Sequence, residues 1–412
     1  MRKRSIAAVV VVAAALAVLT GALAGGGQPG VTSKVITIGG TFPLSGPASS
    51  YSPIPVAAKA YFSYFNSQRG AGGRRGVFGR QIDFQYLDDG YNPAQTVQLT
   101  RQLVEQSHVF AIFDSLGTEP NLAIRSYLNS KKVPQLYVAT GASTFGNDYK
   151  RYPWTIGWQA SYVAEAAAYG KFIVRKVPQA KIGILFQNDD YGKDLIDGLK
   201  AGLGSQQSKI VASEGYEVTA ADVSSQIVKL KASGANTLMV FATPKFAIQA
   251  YAISAKVGWH PTFFTNTVAA TSTILGLATK VSGAAQTNGT ITASFYKDPA
   301  NPALANDPGL KLYRQIMAKY YPSGNVNNSF NIYGMAVAWT MVKTLQGAGK
   351  NPTRASLLKA AQSLDYSDNP FLIKGVHVKT SATDYFPVEQ IQLTRWNDGA
   401  FHTFGGLLKA TG

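Results

Sequence analysis

Between residues 35 and 138 the hydrophobic period switches repeatedly between that of a strand and that of a helix, and this alternation constrains the fold more than any other feature. Residues 35–41 are a β-branched run, 55–68 carry helical spacing, 81–87 alternate as a strand, 93–107 are amphipathic and 109–113 form a short apolar strand. Residues 121–129 then read as a helix and 134–138 as a strand, giving β-α-β-α-β-α-β. After a bridging segment the order restarts: strand 181–186, helix 191–203, strand 209–216, helix 223–232, strand 237–241, helix 246–257 and strand 262–265. Short connections between strands and helices demand right-handed crossovers and parallel sheets covered on both faces. The sequence therefore predicts an α/β protein of two doubly wound parallel-sheet lobes, which share an element order but no sequence repeat.

The remaining chain does not read as a third domain. Residues 307–321, 332–347 and 353–364 have helical spacing, and two strand-like runs, 388–396 and 401–404, flank Asn397-Asp398-Gly399, a hairpin turn signal. The simplest assembly returns the helices to the first lobe and the hairpin to the second. The expected division is 35–155 plus about 290–370 for the first lobe, and 156–289 plus about 371–412 for the second. A chain that crosses between lobes more than once makes a multi-strand hinge.

The N-terminus reads as a targeting segment. Arg2, Lys3 and Arg4 precede an unbroken apolar run of 14 residues, 6–19, and Ala22-Leu23-Ala24 supplies small residues for cleavage, so residues 1–24 are expected to be a signal peptide. The run is short for a bilayer span, and no later stretch resembles a transmembrane helix. The expected location is outside the cytoplasm, either periplasmic or at the cell surface. With 39 Lys and Arg against 22 Asp and Glu the net charge is +17, or +14 without the three N-terminal charges. The basic residues are scattered, with no stripe alternating base and aromatic, so no nucleic-acid partner is expected. Zero Cys excludes disulfides, thiolate metal sites, thiol nucleophiles and a lipid-modified cysteine.

Enzyme signatures are equally sparse. His108, His260, His377 and His402 lie far apart in sequence, so neither a metal site nor a cofactor is expected. There is no nucleophile elbow and no phosphate-binding Walker sequence, and Gly347-Ala348-Gly349-Lys350 reads as a helix end. The glycines between 70 and 79 follow a helix and precede a strand, the reverse of a dinucleotide loop. Asp88-Asp89, adjacent at a strand end, point in opposite directions and suit loop closing or helix capping better than proton sharing.

In open parallel sheets a ligand sits beyond the carboxyl ends of the strands, where helix N-termini present unpaired N–H groups. Small hydroxyl and glycine residues fall at those points, in 41–51, 115–118 and 140–144, with Tyr51, Tyr149, Trp158, Tyr162 and Tyr191 nearby. Such loops suit a carboxylate or another small polar group.

Ile38-Gly39-Gly40-Thr41-Phe42-Pro43-Leu44-Ser45-Gly46-Pro47, the stretch 66–84 leading to Asp88-Asp89, and Tyr191-Gly192 opening a helix resemble the branched-chain amino acid (leucine/isoleucine/valine) binding proteins. These are type I periplasmic-binding-fold receptors of ABC importers, and the resemblance runs from about residue 35 to the end. It implies two lobes joined by three crossover strands, a small ligand trapped when the hinge closes, a membrane permease as partner and no catalytic chemistry. Residue by residue, it places Tyr51 on an aromatic contact position and Gly117 and Thr118 on a paired serine loop. It places Ala142, Ser143 and Thr144 on the loop that holds a ligand carboxylate, and Tyr191 on the second-lobe aromatic position.

The departures bear on the ligand. Where the family's amino-acid receptors set carboxylates against the ligand ammonium, this chain has Trp158-Gln159-Ala160 and Asn266-Thr267-Val268, so Gln159, Asn266 and Thr267 are the expected contacts there. A buried ammonium with no anionic partner costs several kcal/mol. The expected ligand is amino-acid-like, with a carboxylate, amide or aromatic compound lacking the ammonium at least as suitable as a free amino acid, bound by a monomer. Two other classes remain open at this point, a secreted α/β hydrolase and the ligand-sensing domain of a receptor.

Overall fold

The structure is a computed structural model that describes residues 27–70 and 73–410. The expected signal peptide, residues 1–24, lies outside the described residues. The first lobe begins with β1 (Val35–Phe42), α1 (Pro53–Ser67), β2 (Gln81–Asp88), α2 (Pro93–Arg101), β3 (Ile112–Phe113), α3 (Thr118–Ser130), β4 (Gln135–Val138), α4 (Thr144–Asn147) and β5 (Thr155–Gly157). Its five strands are all parallel, in the order β2-β1-β3-β4-β5.

The second lobe continues with α5 (Tyr162–Lys176), β6 (Ile182–Gln187), α6 (Asp190–Leu203), β7 (Ile210–Tyr216), α7 (Ser224–Ala232), β8 (Thr237–Phe241) and α8 (Pro244–Lys256). It is completed by β9 (Thr262–Thr265), α9 (Ser272–Ser282), α10 (Ala284–Thr287) and β10 (Ile291–Ser294). Then follow α11 (Pro308–Tyr320), α12 (Ser329–Gly347), α13 (Arg354–Ala361), the short pair β11 (Asp365–Tyr366) and β12 (Val378–Lys379), and the hairpin β13 (Gln390–Asn397) and β14 (Ala400–Lys409). The larger sheet runs β14-β13-β10-β9-β8-β6-β7, with β13 antiparallel to both of its neighbours, β10 and β14. Its parallel part, β7-β6-β8-β9-β10, repeats the strand order of the first lobe. In both, the order reverses beside the first strand of the unit, which opens a crevice at the carboxyl ends.

The returning helices do pack on the first lobe: α1 lies along α12 and touches α11. Two boundaries differ from expectation. Residues 291–294 pair with β9 and β13, so the chain leaves the second lobe after Ser294 rather than near 290. Residues 371–386 stay with the first lobe, where the Tyr385 hydroxyl donates to the Pro153 carbonyl at 3.0 Å and the Phe386 ring covers Gly146. The bridging segment holds β5 and α5. The amphipathic stretch 93–107 breaks at residue 102 into a π-helical turn, Gln102–Gln106.

Asp88 and Asp89 close loops. Asp88 Oδ1 accepts from the backbone N–H of Leu44, Ser45 and Gly90 at 2.9, 3.1 and 3.0 Å, pinning the loop after β1. Asp89 accepts from the Tyr91 N–H at 3.0 Å and the Thr96 hydroxyl at 2.8 Å. The core under α1 is an edge-to-face aromatic group in which Phe84 and Phe113 centroids stand 5.3 Å apart and Phe62 lies 5.8 and 5.5 Å from them.

In the second lobe α5 and α6 approach so closely that glycine is required. A Cβ at Gly198 would stand 2.3 Å from the Val163 carbonyl oxygen, and one at Gly202 2.2 Å from that of Ala167. Alanine gains about 1 kcal/mol of helix propensity over glycine, but the clash is with backbone that cannot step aside. Gly198→Ala is therefore expected to destabilise by about 1–3 kcal/mol and to lower the melting temperature by several degrees in a thermal unfolding scan; an unchanged or raised melting temperature would refute this packing.

Candidate functional site

The two lobes enclose a cavity between the carboxyl edges of their sheets. Nearly every strand end contributes: Tyr91 follows β2, Gly117 and Thr118 follow β3, Ala139 and Thr140 follow β4, and Gln159 follows β5. From the other side, Tyr191 follows β6, Thr243 follows β8, Thr267 and Val268 follow β9, and Phe295 and Tyr296 follow β10. Tyr51, Phe330, Tyr333 and Tyr162 complete the aromatic wall. Among the described residues no charged side chain lines it.

Gly117 is glycine for two reasons. Its φ is +107°, and a Cβ would lie 2.7 Å from the Tyr91 ring and 2.9 Å from Pro120. It stands before α3, whose first-turn N–H groups point toward the cavity end of the helix. The Thr118 and Thr140 hydroxyls share a hydrogen bond of 2.7 Å, and Thr140 Oγ1 also accepts from the Ala142 N–H at 3.1 Å. Gln159 bridges the lobes at the hinge: its Nε2 donates to the Tyr333 hydroxyl at 3.2 Å, and its Oε1 accepts from Tyr162 Oη at 3.3 Å. Burial pushes the hydroxyls of Tyr51, Tyr91, Tyr162, Tyr191, Tyr296 and Tyr333 up, so all six remain neutral.

The lobes are closed on each other. Tyr51 Oη donates to the Val268 carbonyl at 3.1 Å across the cleft. The Ser143 N–H and hydroxyl both reach the Asp194 carboxylate of α6, at 2.6 and 3.1 Å, and the Asp190 N–H approaches Glu119 Oε1 at 3.4 Å.

Of the ten residues expected at a binding site, Tyr51, Gly117, Thr118, Gln159, Tyr191 and Thr267 line this cavity. Four do not. Ala142 is buried behind Thr140, and Ser143 points across the cleft mouth to Asp194. The Thr144 hydroxyl accepts from Arg125 Nη1 at 2.9 Å and donates to Asp148 at 2.6 Å, which commits it to a surface ion-pair network. Asn266 is fully buried behind Tyr191, whose hydroxyl donates to its Oδ1 at 2.9 Å. Trp158 and Tyr149 also turn away, Trp158 toward Tyr137 and Tyr149 toward Tyr385.

Tyr91, Thr243, Phe295, Tyr296, Phe330 and Tyr333 line the cavity without having been singled out. Thr243 had a signal, since it follows a strand and precedes the proline that opens α8. Phe330 and Tyr333 had none, because α12 reaches the cleft from far along the chain. Of the nearby carboxylates, Glu165 and Asp189 are occupied, whereas both oxygens of the buried Asp114 lack a hydrogen-bond partner among the described residues. Glu165 accepts from the Thr267 N–H at 2.7 Å and from Tyr169 Oη at 2.6 Å, and burial raises its carboxyl above the usual range. Asp114, beside Tyr333, is pushed up strongly by burial. Asp189 caps α6 by accepting from the Gly192 N–H at 3.2 Å, and burial lifts it to about 6.

Two lobes of matching strand order that close over an enclosed, uncharged cavity define a two-domain ligand-trapping protein. Residues 35–400 match the model of the Periplasmic binding protein family, and the chain belongs to that family. A leucine-, isoleucine-, valine-, threonine- and alanine-binding protein of Pseudomonas aeruginosa is 23% identical over 213 residues, 52% of this chain and 55% of that protein. The chain thus spans about half the length of that curated relative. A solved structure of a branched-chain amino acid ABC transporter protein from Thermus thermophilus with bound valine superposes with a TM-score of 0.78 at 16% identity, over 92% of this chain and 97% of the other. A fatty acid ABC transporter substrate-binding protein from Thermomonospora curvata gives 0.75 at 19% identity, over 93% and 94%. These structural likenesses establish the type I periplasmic-binding-protein fold.

Asp189 makes the closed cleft sensitive to pH. A carboxyl raised in the folded state destabilises that state once the pH climbs from the unfolded value toward about 6, and the loss is complete above it. Asp189→Asn removes this loss, so the melting temperature of the variant relative to the wild type is expected to be higher at pH 7.5 than at pH 4.5. A difference that does not change with pH in paired thermal scans would refute the assignment.

Proposed function

We propose that this protein is an exported solute-binding component of an ABC importer, trapping a small organic ligand between its lobes and presenting the closed form to a membrane permease. The observation that supports this best is the enclosed cavity itself, lined by both lobes and bridged by Tyr51, Ser143 and Gln159. A ligand that touches both walls favours the closed state by its contacts to each. Each chain holds a whole cavity, so a monomer suffices. A hydrolase reading has little support: among the described residues no histidine lines the cavity.

The lining also selects the ligand's chemistry. With no carboxylate facing the cavity, an ammonium would be buried without an anionic partner at a cost of several kcal/mol. Neutral tyrosine and threonine hydroxyls, a glutamine amide and the N-terminal turn of α3 offer donors that suit a carboxylate or amide oxygen. Eight aromatic rings suit an apolar or aromatic body. The ligand class is therefore a small carboxylate or amide without an ammonium group.

A thermal-shift screen of the chain lacking residues 1–24 against amino acids, aliphatic and aromatic carboxylates, and small amides tests this. The largest rises are expected from compounds without an ammonium group. Thr118→Val is expected to weaken binding by about 1–3 kcal/mol, whereas Thr144→Ala, whose hydroxyl faces Arg125 and Asp148, leaves it unchanged. Micromolar binding of leucine, isoleucine or valine would overturn the ligand class, and silence across the panel from a well-folded protein would overturn the function.

A further inference from the structure

A second cavity lies beyond the first, between the returning segment 297–307 and the end of the larger sheet. Tyr296 lines both cavities and is the wall they share. Its ring meets Phe295 at 5.0 Å and Tyr333 at 6.0 Å, both edge-on, and its hydroxyl makes no hydrogen bond among the described residues. The backbone around it is fixed: the Lys297 N–H donates to the Phe371 carbonyl at 2.9 Å, and the Ile373 N–H to that of Phe295 at 3.0 Å.

Three of the four charged groups of the second cavity have partners, and the fourth, Lys374, is exposed and has none among the described residues. The Lys297 ammonium reaches Asp307 Oδ1 at 2.7 Å and the Pro370 carbonyl at 2.8 Å. The Asp298 carboxylate accepts from the hydroxyls of Ser272 and Ser329 and from the Ala300 N–H. The remaining lining includes Ala270, Leu304, Ile373 and Phe401, with the buried hydroxyl of Thr394 unpartnered among the described residues. Apart from the exposed Lys374, a charged guest would find no free counter-ion there, while an apolar chain against Ala270, Leu304, Ile373 and Phe401 would lose only water.

We infer that the second cavity extends the ligand site and receives the uncharged tail of an elongated amphipathic carboxylate, with Tyr296 as the gate and the head group held between Thr118, Thr140 and α3. This rests on the carboxylate reading above and narrows it to acids with a chain longer than the first cavity holds.

Titration calorimetry with butanoate, hexanoate, octanoate and decanoate provides the test, on the wild type and on Thr403→Trp and Ala303→Trp, which fill the second cavity from exposed positions outside the first. In the wild type, affinity is expected to rise about fourfold per added methylene through decanoate, the factor that corresponds to burying each one. In both filled variants butanoate keeps its wild-type affinity and the gain stops at the shorter acids. Wild-type affinity that is flat or falling beyond hexanoate, with butanoate still bound, would overturn the extension alone. So would equal weakening of butanoate and decanoate in both variants. If no alkanoate of any length binds, the carboxylate reading falls and the extension with it.

Discussion

The cleft depends on how closely the loop after β4 lies against the first crossing between lobes. The Tyr162 N–H donates to the Gly141 carbonyl at 2.8 Å, and a Cβ on Gly141 would stand 2.3 Å from the Ala160 carbonyl oxygen. No other residue type fits at 141 without moving that strand. The contact sets Thr140 opposite Thr118 on one wall and Tyr162 beside Gln159 at the base, and it aims the next residues across the mouth, where Ser143 meets Asp194. The walls of the cavity and the latch that closes it thus share one backbone junction.

Around that junction the electrostatics are arranged by removal rather than by opposition. Asp88 and Asp89 are consumed in folding the loops after β1 and β2, Glu165 holds the Thr267 N–H, Asp189 caps a helix, and Arg125 is drawn away to Asp148 and the Tyr152 ring. What faces the cavity is neutral, aromatic and hydroxyl-bearing. In such a low-dielectric space a neutral donor is worth more than in water, and an unpaired charge costs more.

Much of the fold was legible because it is local. The strand expected at 237–241 and the one at 262–265 match β8 and β9 residue for residue, since a buried parallel strand is a short apolar run with clear ends. The turn signal at Asn397-Asp398-Gly399 sits at the tip of the final hairpin. The bridging segment was opaque because β5, at only three residues, is too short to show a strand period. The limits of the lobes were also hidden, since nothing in 371–386 signals that Tyr385 docks on Pro153, some 230 positions earlier.

The sequence by itself determined two parallel-sheet lobes, the strand ends where a ligand can sit, and the lack of a carboxylate in the two segments that supply one elsewhere in the family. Those are properties of hydrophobic period, turn chemistry and residue type over short windows. Only the tertiary structure decided which residues meet: that Thr144 turns to Arg125 while Thr140 turns inward, that Asn266 stands behind Tyr191, and that α12 brings Phe330 and Tyr333 into the wall. A side chain's direction at a loop depends on what packs against that loop, and here the packing partners come from distant parts of the chain.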